Sequence, residues 1–264
     1  MSLRQYNVLM SKLGTDPYKG VRDFYPEDMA IQNYIFGTWR KIVEKFGYVE
    51  YSASLLEPTE IYTEKSGAEI INEQTFTFTD RGDRSVTLRP EMTPSLARMV
   101  AARRRNLKFP LRWFSIPNLF RYERPQRGRK REHWQLNCDL LGITGIEAEK
   151  EIISLTHTIM KEFGAQDDDF EIRINNANVD NFKEIGQNLV FDPELARGQT
   201  YYTGIVFEIF DSNKKNGRAL AGGGRYDNLL EMFEVEPVPA VGFGMGDITL
   251  RDFLETHELP LCEK

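Results

Sequence analysis

Apolar residues recur at helical spacing through residues 26–48, at Ile31, Tyr34, Ile35, Trp39, Ile42, Val43 and Phe46, with Glu27 and Asp28 near the start and Gly47 after the last. That period, opened by acids and closed by glycine, predicts an amphipathic helix. A second long amphipathic helix is predicted over 146–163, and a helix with a basic C-terminal end over 91–105. The period shortens to that of a strand over 49–53. Residues 75–79 and 85–89 flank the turn Asp80-Arg81-Gly82-Asp83 and predict a hairpin. Further strands are predicted over 109–123, 133–141, 170–174, 202–210, 218–221 and 238–244, with helices over 226–233 and 247–255. Hairpins outnumber strand-helix-strand crossovers, so the expected class is α+β, an antiparallel sheet with helices packed mainly on one face. No internal repeat or low-complexity tract interrupts the pattern.

Composition changes this picture in one respect. With 264 residues, 41% hydrophobic and 12% aromatic, the chain can bury a sizeable core in one large domain or two small ones. A net charge of −6 argues against a nucleic-acid partner, yet from Arg98 to Arg131 twelve Lys/Arg stand against a single acid, Glu123. A local basic face on an acidic protein follows. Cys138 and Cys262 form neither a disulfide framework nor a metal spacing, and His133, His157 and His257 are too scattered for zinc. No apolar run approaches the ~20 residues of a membrane span and no apolar signal segment opens the chain, so a cytoplasmic protein without a membrane partner is expected.

The cations concentrate where two predicted strands join. Arg121 lies on the first strand and Glu123 follows two residues on. A loop then adds Arg127, Arg129, Lys130 and Arg131, and the returning strand carries Gln135 and Asp139. This reads as a hairpin with a cationic loop, a site for a polyanion beside a small polar ligand, because guanidinium groups meet phosphate oxygens in bidentate geometry. From the residues alone, an exposed hairpin with merely solvated charges is the competing reading. Two glycine runs, GGGRYD at 222–227 and GFGMG at 242–246, fall at predicted strand-to-helix junctions, where glycine lets backbone approach a ligand. Neither continues as a P-loop or has dinucleotide-fingerprint spacing. Each alone is equally a tight turn; beside the hairpin they suggest a ligand floor.

Six segments in order carry a family resemblance: GVRDFYP (20–26), TLRPEMT (87–93), FRYERPQRGRKREHWQ (120–135), LARGQTYYTGIVFE (195–208), GGGRYDNL (222–229) and AVGFGMG (240–246). Together they resemble the catalytic core of class II aminoacyl-tRNA synthetases, specifically the histidyl-tRNA synthetases, with the LARG and YYTG element pointing to histidine. The resemblance implies a class II synthetase-like antiparallel sheet flanked by helices. It also implies a ligase that activates histidine with ATP and Mg2+, holds no tightly bound metal of its own, and transfers the histidyl group to the acceptor end of tRNA(His).

It further implies roles by position. Arg121 matches the arginine bridging the substrate carboxylate and the α-phosphate, and Arg197 a second arginine across that phosphate. Glu91, Thr93 and Gln135 match positions that hold the substrate ammonium. Asp139, where a glutamate is expected, and Tyr202 match the pair on the imidazole ring. Tyr201 completes the histidine-binding set, with Tyr226 beside it in a packing or supporting role. Glu123 and Arg129 match ATP contacts, His133 an aromatic stacked on adenine, and Gly244 and Arg225 join the ATP set. A homodimer built on residues 37–58 is also implied.

Two departures accompany these matches. The family continues GFGMG with Leu-Glu-Arg, whose arginine grips the γ-phosphate; this chain reads Asp247-Ile248-Thr249. Arg251, two residues further on, is about 200° around the helix and would face away, so either another cation such as Arg225 or Arg131 replaces it or ATP binding is weakened. Thr200 likewise stands where an aspartate is expected. The second departure is length: only about twenty residues separate Asn175 from Leu195, where most members insert a helical domain, and no anticodon-reading domain follows. The expectation is a single catalytic domain over 1–264, with MSL and LPLCEK read as cloning boundaries. The alternative implied by the family is a non-catalytic paralogue, either a regulatory subunit of ATP phosphoribosyltransferase or a sensor of uncharged tRNA. Thr249 and the missing domain favour it; the full cationic loop and the complete LARG and YYTG element favour the enzyme.

Overall fold

Strand alternation resolves into one large sheet with two unlike faces. The computed structural model describes residues 14–63, 74–213 and 216–262. Across the main sheet the strands run β1 (Val49–Glu50), β5 (Leu111–Ser115), β7 (Glu132–Leu141), β12 (Ala240–Gly246), β11 (Ala219–Arg225), β10 (Val206–Asp211), β8 (Phe170–Ile174) and β9 (Leu189–Phe191), with β6 (Asn118–Phe120) also paired to β7. Neighbours are antiparallel except at the edges, where β1 lies parallel to β5 and β9 to β8. A small sheet of β2 (Leu56–Pro58), β4 (Ser85–Leu88) and β3 (Phe76–Thr79) stands apart.

One face of the main sheet is apolar throughout: Leu136, Cys138 and Leu140 on β7, Val241, Phe243 and Met245 on β12, Phe207 and Ile209 on β10, Ile172 and Ile174 on β8. Three amphipathic helices seal it. These are α1 (Pro26–Lys45), through Ile35, Trp39, Ile42 and Val43, then α4 (Glu147–Glu162) and α5 (Asp247–Thr256). The period-two geometry of a strand sends the intervening residues, Gln135, Asn137 and Asp139 among them, to the opposite face. There a short helix α3 (Thr93–Arg103) and a 3₁₀ turn at Leu229–Phe233 pack through Leu96, Val100, Tyr226 and Leu230 and close one end. A four-residue helix α2 (Glu60–Thr63) links the small sheet to this end.

Several sequence expectations shift. The strand expected over 109–123 breaks at Ile116-Pro117, because proline cannot donate to the ladder; β5 and β6 then pair with successive parts of β7. The helix expected over 226–233 is only the 3₁₀ turn, and the short strands β2 and β9 were not foreseen. Glycines 222–224 lie inside β11 and 242–246 inside β12, not at strand-to-helix junctions, apart from Gly246, which passes directly into α5.

Asp247, the first residue of α5, ties these layers together while almost wholly buried. Its carboxylate accepts hydrogen bonds from Arg22 Nη2 at 2.7 Å, Gln32 Nε2 at 3.0 Å and the Trp134 amide at 2.9 Å. It thereby joins the segment before α1, α1 itself and the start of β7. Breaking a buried pair by removing one partner destabilises by about 3–5 kcal/mol, and Arg22 keeps some solvent contact. Asp247→Ala should therefore lower unfolding free energy toward the smaller end of that range, read as a reduced urea midpoint at unchanged slope.

Candidate functional site

The site is built on the polar face, over the glycines of β11 and β12. Side chains lie flat on this floor because no Cβ stands in the way. A Cβ on Gly222 would approach Arg197 Cζ to 2.7 Å, one on Gly244 would approach Gln135 Cδ to 2.7 Å, and one on Gly242 would run into the Asp139 carboxylate. Two cavities adjoin on it. The smaller, about 90 Å³, is walled by Glu91, Thr93, Asp139, Tyr201, Tyr202 and Tyr226, with Asn137 and Gln199. The larger, about 440 Å³, is walled by Glu123, Arg129, Lys130, His133, Glu208, Arg218 and Thr249. Arg121, Gln135, Arg197, Gly222 and Gly244 line both and form the neck between them.

At the neck, Arg121 donates from Nε to the Pro90 carbonyl at 3.0 Å, which aims the rest of its guanidinium into the cavities. Arg197 donates from Nη1 to Glu208 Oε1 at 2.8 Å, and its buried Nε meets no hydrogen-bond acceptor. Burial opposes the charge of Arg197, but Tyr202 and Glu208 outweigh it and hold the guanidinium above its usual range. A half-buried cation with an orphaned donor is suited to an anion supplied from outside.

In the smaller cavity the Tyr201 hydroxyl donates to Glu91 Oε2 at 3.0 Å, fixing that carboxylate among the tyrosines. The Tyr226 hydroxyl donates to Asp139 Oδ1, while Asp139 Oδ2 is buried without a partner. Burial lifts the Asp139 carboxyl from the ordinary range to about 7, against the lowering by Tyr226. In the larger cavity, burial first and then the cations Arg121, Arg22 and Arg129 push His133 down to about 3, so its ring is neutral at physiological pH. Glu123 is ion-paired with Arg129. The hairpin tip reaches α5, where exposed Arg127 pairs with Asp252 at 2.9 Å.

Twelve of the thirteen residues singled out from the sequence thus line one or both cavities. Arg225 does not. It is clamped by Glu149 at 2.6 Å through both Nε and Nη2, by Asp227 at 3.1 Å and by the carbonyls of Ile143 and Gly145, and it faces neither cavity. Arg131 is similarly engaged, donating to the Glu123 carbonyl and the Tyr18 hydroxyl beneath the Tyr122 ring. Arg251 faces away as expected, pairing with Glu255 and Asp28. The sequence reading missed Glu208, Arg218, Asn137 and Gln199 as wall residues. Alternation along β7 and β10 places Asn137 and Glu208 on the polar face; Arg218 precedes β11 and carries no local signal.

A family model described as Histidyl-tRNA synthetase matches residues 20–182 and 173–247. The histidine–tRNA ligase of Leptospira biflexa serovar Patoc is 39% identical over 331 aligned residues, covering 94% of this chain and 76% of that protein. The aligned span exceeds the 264 residues of the chain, so the relative carries residues without a counterpart here. The solved apo histidyl-tRNA synthetase of S. aureus is similar at TM-score 0.79 and 26% identity, covering 94% of this chain and 72% of that one. A Bacillus halodurans chain described as an ATP phosphoribosyltransferase regulatory subunit/histidyl-tRNA synthetase gives 0.76 at 22% identity, over 92% and 83% of the two chains, a likeness of fold alone.

The raised Asp139 carboxyl has a signed effect on stability. Its folded value of about 7 exceeds the ordinary 3.8, so between these limits the folded state binds more protons than the unfolded one and stability falls as pH rises. Asp139→Asn keeps an acceptor for the Tyr226 hydroxyl and removes the titration. The variant should therefore be more stable than the parent above pH 7, with the difference shrinking toward pH 4. Paired melting curves across that window check this, and a constant difference would refute it.

Proposed function

The chain belongs to the histidyl-tRNA synthetase family, and from that membership we infer that it is the catalytic core of a histidine–tRNA ligase, joining histidine to ATP and passing the histidyl group to the 3′ end of tRNA(His). The carrying observation is the pair of guanidinium groups, Arg121 and Arg197, at the neck shared by a small polar cavity and a larger cationic one. Histidine occupies the small cavity with its carboxylate toward the neck. ATP occupies the large one with its α-phosphate at the neck. A carboxylate oxygen attacks the α-phosphorus, the bond to the bridging oxygen breaks, and pyrophosphate leaves with the electron pair. Two fixed cations on that phosphate stabilise the charge of the transition state and neutralise the repulsion between two anions.

The remaining residues orient the substrates. Glu91, held by Tyr201, takes the ammonium together with Thr93 and Gln135. The unpartnered Asp139 Oδ2 and the Tyr202 hydroxyl meet the two ring nitrogens, which fixes the tautomer and rejects apolar isosteres, since these would leave buried polar groups unpaired. A neutral His133 ring is suited to stacking on adenine. Magnesium would accompany the nucleotide and neutralise its outer phosphates, and Glu123 and Glu208, paired with Arg129 and Arg197, are the carboxylates on the cavity wall that would hold it. Exposed Arg124 and Arg127 on the hairpin are placed to meet the acceptor-end phosphates of tRNA.

We also propose that the chain is a single catalytic domain, without the inserted helical domain between β8 and β10, and that it works in the cytoplasm; no described helix is long and apolar enough to cross a membrane. A homodimer is proposed from the small sheet. Its inward face is polar, with buried Glu57 and Thr87, whereas Leu56 and Phe78 on the opposite face are exposed. The stripe of α1 faces its own core, so this inverted sheet, with exposed Val49 and Leu55, is the surface proposed for a second copy.

Histidine-dependent exchange of labelled pyrophosphate into ATP tests the activity. The parent should exchange, and Arg197→Ala should reduce the rate by roughly 10²–10³-fold, as for loss of one group that stabilises developing charge; a parent silent with histidine would overturn the reading. For the dimer, the parent should sediment as two chains and Phe78→Asp as one, with exchange read in parallel.

A further inference from the structure

The wall of the large cavity carries a further cation, Arg218. Arg218 stands just before β11, its backbone amide directed at Asn216 Oδ1. Its side chain runs beneath the hairpin tip: a Cβ on Gly128 would lie 3.0 Å from Arg218 Cδ, 3.7 Å from its Nε and 3.5 Å from Thr249 Cγ2. Arg218 and Thr249 thus flank the same point, one reaching it from the sheet and the other from the first turn of α5. Both belong to the large cavity and not to the small one, so they lie away from the neck.

The environment of Arg218 is short of negative charge. Among the described residues no carboxylate comes within ion-pair distance of it, whereas Arg127, Arg129, Arg197, Arg225 and Arg251 each have such a partner. Burial and the neighbouring Arg129 both work against its charge, offset only by Glu123. Arg129 and Lys130 line the same cavity. Three cations on the wall of one cavity, of which Arg129 alone is paired with Glu123, form a receptor for a multiply charged anion.

We infer that Arg218 binds the terminal phosphates of ATP, and the pyrophosphate that leaves, from the place that an arginine at position 249 would otherwise reach. This deepens the ligase reading and rests on it. The arginine arrives from the strand side of the cavity, so Thr249 beside it needs only to be small. On cleavage at the α-phosphorus, the electron pair departs on pyrophosphate and the new charge develops at the Arg218 end, while Arg121 and Arg197 stay with the adenylate.

Three variants test the assignment: Arg218→Ala, Arg218→Gln, which keeps most of the stem under Gly128, and the double variant Arg218→Ala with Thr249→Arg. Calorimetric binding of inorganic pyrophosphate is read first, because it needs no turnover. Both single variants should bind it roughly tenfold to hundredfold more weakly, and KM for ATP should rise similarly with KM for histidine within twofold of the parent. The double variant should regain much of both. Unchanged pyrophosphate binding and ATP KM in a variant that melts with the parent would overturn the assignment. Loss of pyrophosphate binding in a chain whose parent shows no exchange would keep Arg218 as a polyphosphate ligand and overturn the ligase reading instead.

Discussion

Close approach of charged side chains to bare backbone is the constraint on which the site depends. Gly222, Gly242 and Gly244 lie on neighbouring strands, and Arg197, Asp139 and Gln135 occupy the space their missing side chains leave. With any Cβ at these positions the arginine and the carboxylate would be lifted from the sheet and the neck would close. The opposite face makes this affordable in structural terms, since unbroken aliphatic packing under α1, α4 and α5 carries the stability that the polar face forgoes. The two faces of one sheet thus divide the labour, and strand alternation is the rule that divides it.

Charge is arranged with similar economy. Four of the ten arginines between Arg98 and Arg131 are committed to carboxylates: Arg98 to Glu57, Arg112 to Glu151, Arg127 to Asp252, Arg129 to Glu123. The basic face expected from composition is therefore partly neutralised, three of the four carboxylates being drawn from distant parts of the chain. Counting cations along a sequence overstates the potential they produce.

The long helices, the central strands and the floor were legible because period and glycine content are local properties. Asp139 was legible too: given the returning strand, alternation alone puts it on the same face as Gln135. What local pattern did not reveal was which arginines were available. Arg225 follows the glycine run and reads as a ligand-binding cation, but its partner Glu149 lies 76 residues earlier on α4 and appears beside it only once the sheet and helix pack. Arg218 is the converse case, an unremarkable cation before a strand that tertiary packing brings beneath Gly128. The break at Pro117 was visible in principle, since a proline inside a central strand argues against continuity.

The cationic hairpin covers the large cavity, yet on the α5 side its tip is held by the exposed pair of Arg127 and Asp252. Exposed pairs contribute little to stability and are weakened further by salt. On this side the roof of the cavity rests on a contact that dissolved salt screens, whereas its floor is hydrogen-bonded sheet backbone that salt does not touch.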